Sequence, residues 1–230
     1  MHAMPPPVPR PLLRYLAPAV LVSLTLAVNA ALWSPLDTDP GLSPFALTVS
    51  DFAALDRGGP IETTMALLGL ASLALPAGAR LRRVPVRGLP TVLLAVWGLG
   101  LVLAAVVPTD PLATELSGAA QVHRYASVAA FAALPAAGLL LARRFGTGPA
   151  ADRTTARRLR FLSYAALAGA VLMACSAGPG DRALIGLAER LLLGCEVALL
   201  AVLTLRVQRY PAPAPRRTGV ARPARRTPAR

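Results

Sequence analysis

Residues 61–107 read IETTMALLGLASLALPAGA, then RLRRVPVR, then GLPTVLLAVWGLGLVLAAVV. Two runs of about 20 mostly apolar residues, each long enough at 1.5 Å per residue to cross a hydrocarbon core of ~30 Å, flank a link carrying Arg80, Arg82, Arg83 and Arg87. Helices satisfy every backbone amide within the lipid, and the guanidinium groups stay at one face. The same pattern extends in both directions along the chain. Apolar stretches fall at 12–33, 61–79, 88–107, 120–142, 159–177 and 184–206, and arginines crowd every second gap. The expected fold is all-α, a polytopic transmembrane bundle of six helices.

The charge distribution orients that bundle. All 24 basic residues are arginine, and 20 of them lie before or at the start of the first stretch, in or bordering the second or fourth gap, or at and beyond the end of the sixth. Arg57, Arg124, Arg182 and Arg190 are the exceptions, and of the 11 acids only Asp152 lies on the Arg-rich side. The positive-inside rule then places both termini in the cytoplasm.

Composition agrees. With 55% apolar, 15% charged and 5% aromatic residues, 230 residues are too apolar for a soluble domain. The formal charge of +13 raises nucleic acid as a partner, but its arginines sit in loops and a tail rather than on one face with stacking aromatics. The expected counterion is anionic cytoplasmic lipid, at roughly 1 kcal/mol per basic residue near the surface. Nucleic acid is not expected as a partner, and a homo-oligomer or another membrane partner stays open.

Three segments follow: a Pro-rich cytoplasmic N-terminus at 1–11, the membrane domain at 12–209, and an Arg/Pro-rich tail at 210–230 that lacks the bulky apolar residues needed for a core. Arg10, Arg14, the run from Leu16 to Val28 and the small-residue pattern Val28-Asn29-Ala30 also resemble a cleavable signal peptide. Continuation of the apolar run to Trp33 favours a retained helix.

The connection from Ser34 to Pro60 is the longest between spans and carries Phe45, Leu47, Val49, Phe52 and Leu55 at regular spacing. Ser50 stands like a helix N-cap before Asp51–Leu55. Such a segment suits either an outer lid or an interfacial helix shielding helix ends.

Several short motifs resemble a known family. Thr48-Val49-Ser50-Asp51-Phe52-Ala53-Ala54-Leu55, the turn Val107-Pro108-Thr109-Asp110-Pro111, and His123 followed by Ala132-Ala133-Leu134-Pro135 and Leu140-Leu141-Ala142-Arg143-Arg144 are similar to stretches of domain of unknown function family 998. The resemblance spans roughly Leu12 to Arg209. It implies a six-helix integral membrane protein of actinobacterial type, hence a bacterial plasma membrane, and it brings no established activity.

Ionisable groups in the spans mark a site or a buried pair, because charge in hydrocarbon is unfavourable. Glu62 begins the second helix, His123 and Arg124 the fourth, and Glu189, Arg190 and Glu196 lie on the sixth. Seven residues separate Glu189 from Glu196, so they share a face, with Glu196 roughly 18 Å deep. Arg190 shares its face with Gly186 and Gly194, which would admit a close-packed helix bearing Glu62 or Asp110 as its partner. Asp51, Glu62, Asp110, His123, Arg124, Glu189, Arg190 and Glu196 together form a candidate polar vestibule facing outward.

Chemistry beyond binding finds little support. His123 with Asp110 and Ser50 or Ser127 suggests a catalytic grouping, but there is no G-x-S-x-G elbow, so no catalytic residue is assigned. Zinc and paired-histidine haem need more ligands than His123 and the flexible-end His2 offer, and no metal or cofactor is expected. Cys175 and Cys195 sit at depths too different for a disulfide. Pro135 should kink the fourth helix.

Two functions remain. One is a binding or translocation protein for a small polar solute or lipid headgroup. The other is an accessory subunit whose charges hold helices together. A lipid-directed enzyme lacks an identifiable nucleophile or metal.

Overall fold

The structure, a computed structural model, describes residues 19–20, 22–26, 42–55, 57–110, 115–147, 151–178 and 180–210. Among them a short helix, α1 (Val49–Leu55), precedes five long ones: α2 (Pro60–Leu81), α3 (Leu89–Val106), α4 (Gly118–Gly146), α5 (Arg153–Ala177) and α6 (Ile185–Arg209). These five are long and apolar enough to cross a membrane. The protein thus has the architecture of a multi-pass membrane protein.

Each long helix packs on the next in chain order, and α6 returns to touch both α2 and α4. The spans expected from sequence match helices within a few residues at most ends. α5 begins six residues earlier than expected, at Arg153, and takes in the arginines there. Of the stretch expected at 12–33, residues 19–20 and 22–26 are helical, and Val20 and Leu24 are buried in the same core as Leu68, Leu75, Trp97 and Leu200. The N-terminal segment, the tail from 211, Trp33 and the choice between retained helix and signal peptide lie outside the described residues.

Local sequence sets the helix ends. Pro60 occupies the first turn of α2, where its missing N–H is no loss. Ser117 caps α4 by accepting the Ala120 amide, and Asp152 caps α5 by accepting the Thr155 amide at 2.9 Å. α4 continues through the buried Pro135 over its full 29 residues.

Asp152 also joins two helices, because its Oδ2 lies 3.1 Å from Arg206 Nε on α6. The Arg206 guanidinium in turn stacks over Phe145 and Tyr210, 5.6 and 4.8 Å from their ring centroids. The Thr155 amide holds the Asp152 carboxyl below the usual carboxylate range. A depressed folded value means that the stabilisation is present above the unfolded value and is lost as pH falls through the folded one. Asp152→Ala should therefore lower stability by about 1 kcal/mol at neutral pH. Its melting curve should converge with the wild-type curve only in acid below ~3.9.

Two glycines bring α2 and α3 unusually close. A Cβ built on Gly69 would lie 2.6 Å from the Gly98 carbonyl oxygen, and one on Gly98 would lie 2.9 Å from the Gly69 carbonyl oxygen. Small residues permit such approach where no water drives helices together.

Candidate functional site: a lidded cavity with a buried carboxyl

The Arg-poor end of the bundle is covered by α1 and the turn before it. Phe52 is 1% exposed, and Leu47, Val49, Phe52 and Ala53 form a small core with Ile61 at the start of α2. The segment is therefore a packed lid rather than a helix resting on the bundle surface. Thr48, not Ser50, makes the N-cap: its Oγ1 accepts the Asp51 amide at 3.0 Å while Asp51 Oδ2 accepts the Thr48 amide at 3.0 Å. This reciprocal pair is a capping box with Asp in place of Glu. Ser50 is left free to donate to Glu189 Oε1 at 3.3 Å.

The lid is fastened to α6 and to the turn before it. Glu189 Oε2 accepts the Val49 amide. Arg190 Nη1 donates to the carbonyls of Pro44, Leu47 and Gly186 at 2.7, 3.0 and 3.0 Å, and its guanidinium lies 5.6 Å from the Phe52 ring centroid. Gly186 donates its amide to Phe45 at 2.9 Å. Asp51 Oδ2 is 2.7 Å from Arg182 Nη2. Arg182 sits in a turn where Asp181, Arg182 and Leu184 all have left-handed backbone, φ +46°, +61° and +60°, a conformation unfavourable by about 1–2 kcal/mol per residue.

Beneath the lid is a cavity of about 170 Å³. Its walls come from α2, α3, α4 and α6, with Val49 and Ser50 of α1 above. Most of the lining is aliphatic or aromatic: Ile61, Met65, Leu68, Leu101, Phe131, Leu193 and Val197. Gly194 opens onto it, since a Cβ there would meet nothing within 4 Å. The charged residues of the lining are Glu189, Arg190 and Glu196.

Glu196 differs from the other two. It is fully buried, about 17 Å along α6 from Ile185. Its Oε2 accepts the Trp97 indole N–H at 3.3 Å, and its Oε1 has no hydrogen-bond partner among the described residues. Burying a carboxyl with one neutral donor is unfavourable by several kcal/mol. Arg190 Nη2 is likewise buried without a partner.

The remaining expected vestibule residues stand elsewhere. Glu62 accepts from Arg57 Nη1 at 2.6 Å and from the Gly58 amide at 2.5 Å, bracing the entry to α2. Asp110 accepts the Ser117 amide at 2.7 Å in the turn before α4, which holds its carboxyl below the usual range. Buried His123 bonds the Val107 carbonyl through Nδ1 at 2.8 Å, and Arg124 is exposed. The expected pairing of Arg190 with Glu62 or Asp110 is thus replaced by backbone carbonyls. No hydrogen bond joins His123 to Asp110, Ser50 or Ser127 among the described residues, so the catalytic grouping is not assembled. Cys175 and Cys195 are both free thiols.

Trp97 was not among the residues expected at the site. The signal that points to it is a single indole within an otherwise aliphatic third span, because a buried indole N–H needs an acceptor.

Comparison with curated proteins and with solved structures finds no match. A family model does match, over residues 16–206, and its description is protein of unknown function (DUF998). With the described spans and the lid motif inside the matched region, the chain belongs to the DUF998 family.

Proposed function

We propose that this protein spans the plasma membrane six times with its Arg-rich end and both termini in the cytoplasm. On this reading the lidded cavity faces outward and receives a small amphiphilic molecule. The arginine pattern supports the orientation, and three of its four exceptions, Arg57, Arg182 and Arg190, are engaged by Glu62, Asp51 or backbone carbonyls, while Arg124 is exposed. The exposed arginines of the opposite face suit anionic lipid headgroups.

The observation that carries the binding reading is the Oε1 of buried Glu196, on the wall of a cavity and without a partner among the described residues. The largely apolar wall favours a ligand with an apolar body and one polar group, rather than a wholly polar solute. A structural role fits the other acids better. Asp51, Glu62 and Glu189 already have their hydrogen bonds from the chain itself, and they fasten the lid and the start of α2.

Trp97 is a built-in reporter once the second tryptophan is removed as Trp33→Phe. Titration with 2-phenylethanol in neutral detergent should change Trp97 fluorescence saturably. Gly194→Leu, which fills the cavity from a position with open space, should abolish that change while leaving helix content intact. A linear, non-saturating response identical in both proteins would remove the binding reading.

A further inference from the structure

We infer that the cavity ligand is a protonated primary amine on a compact apolar body, with its ammonium group held by Glu196. The inference rests on the binding reading above and names the chemistry of the ligand. Three observations lead to it.

The first is charge. Arg190 is the cation in the lining, and its hydrogen bonds go to backbone carbonyls rather than to either carboxyl group. Its Nη1 is occupied by three carbonyls of the lid and α6. Glu189 is occupied by Val49 and Ser50. Glu196 lies seven residues further along α6, about 10 Å deeper, and has a neutral indole as its partner. Neither carboxyl group has an ion pair among the described residues, but Glu189 has a donor on each oxygen, so the one left with an open oxygen is Glu196 at the floor of the cavity.

The second is hydrogen-bond capacity. An ammonium carries three donors and no acceptor, so it satisfies Oε1 without leaving an unmet acceptor among aliphatic walls. A hydroxyl ligand also donates but brings no charge. A carboxylate or phosphate ligand would set two anions together.

The third is shape. Trp97 and Phe131 both line the cavity, and aromatic faces attract ammonium groups in desolvated sites. The volume of about 170 Å³ is close to that of an apolar cavity known to hold benzene, so the body has roughly six to ten heavy atoms.

Three probes share one body and differ in the polar group: 2-phenylethylamine, 2-phenylethanol and phenylacetate. Binding is read from Trp97 fluorescence in the full chain in neutral detergent, on the Trp33→Phe background, with Gly194→Leu as the control for partition into the micelle. The amine should bind about tenfold more tightly than the alcohol to the parent protein, as a charge-assisted hydrogen bond implies. In Glu196→Gln that preference should fall to about onefold, with alcohol affinity nearly unchanged, which also shows that the variant is folded.

Equal binding of amine and alcohol, or an amine preference that survives Glu196→Gln, overturns the inference while the cavity reading stands. Preferred binding of phenylacetate overturns it and moves the anchor to Arg190 Nη2. Absence of saturable binding by all three probes, or identical binding by Gly194→Leu, overturns the cavity reading itself. Should Glu196→Gln fail to fold, the ranking of the three probes on the parent protein against Gly194→Leu decides.

Discussion

Gly186→Ala should unseat the lid while leaving the five long helices folded. A Cβ at this position would collide with the carbonyl oxygens of Leu47 and Pro44 and approach the Leu47 carbonyl carbon at 2.9 Å. Those are backbone atoms, so no rotamer change relieves the contact, and the turn must move as a body. As it moves it withdraws the carbonyls that hold Arg190 and draws Phe45 away from the Gly186 amide. Overpacking of this kind is unfavourable by about 1–3 kcal/mol, and the lost hydrogen bonds put the effect near the upper figure. Opening made easier by about 3 kcal/mol accelerates amide exchange by roughly a hundredfold. Exchange at residues 47–53 should rise by that factor, the Val49 amide on Glu189 above all, while exchange within α3 and α4 stays unchanged. Unaltered protection at 47–53 would show that the lid does not depend on this close approach.

Gly69→Val should have the larger effect, on the bundle itself. The new side chain would enter the space held by the Gly98 carbonyl oxygen and Val102 Cγ2, 2.6 and 2.8 Å from the position of its Cβ. α2 and α3 would have to separate along this seam. Helices in lipid associate through dispersion and close backbone approach rather than through release of water, so a gap there has no compensating gain. Separation would also disturb the cavity wall, where Leu68 of α2 and Trp97 and Leu101 of α3 lie. The expected result is a loss of more than about 3 kcal/mol, with most of the folded protein missing from the membrane. Unfolding in mixed micelles would measure it against Gly194→Ala, which meets open space and should be neutral or stabilising by up to ~1 kcal/mol.

These two glycine contacts mark the boundary of what the chain reveals when read linearly. The spans were legible because length and apolar content are local properties, and Leu89–Val106 differs from its expected bounds by a single residue at either end. Ser117 and Asp152 are caps of ordinary kind. The lid was visible as spaced apolar residues between Ser34 and Pro60, and the capping-box spacing from Thr48 to Asp51 was there to be read in place of Ser50.

The partners of the charges were not legible, for a physical reason. Arg190 bonds to carbonyls of Pro44 and Leu47, and every residue has a carbonyl, so no sequence signal distinguishes those two. The spacing of Gly186 did point to a close approach at Arg190, but what approaches is a turn of backbone and not another span. Glu62 looks the same on paper as Glu196. One meets an arginine five residues away, and the other meets an indole ninety-nine residues away.

That last distance belongs to a wider pattern with a bearing on how the protein is made. The polar contacts between the lid and the region of Arg182, Glu189 and Arg190 join residues 131 to 146 positions apart. A ribosome must reach α6 and the turn that precedes it before any of these contacts has both of its ends. Until then the stretch around Phe52 has its apolar partner Ile61 on α2 but lacks its polar fastening to α6. The polar fastening of α1 therefore follows the arrival of α6, and protection of the Val49 amide reports it.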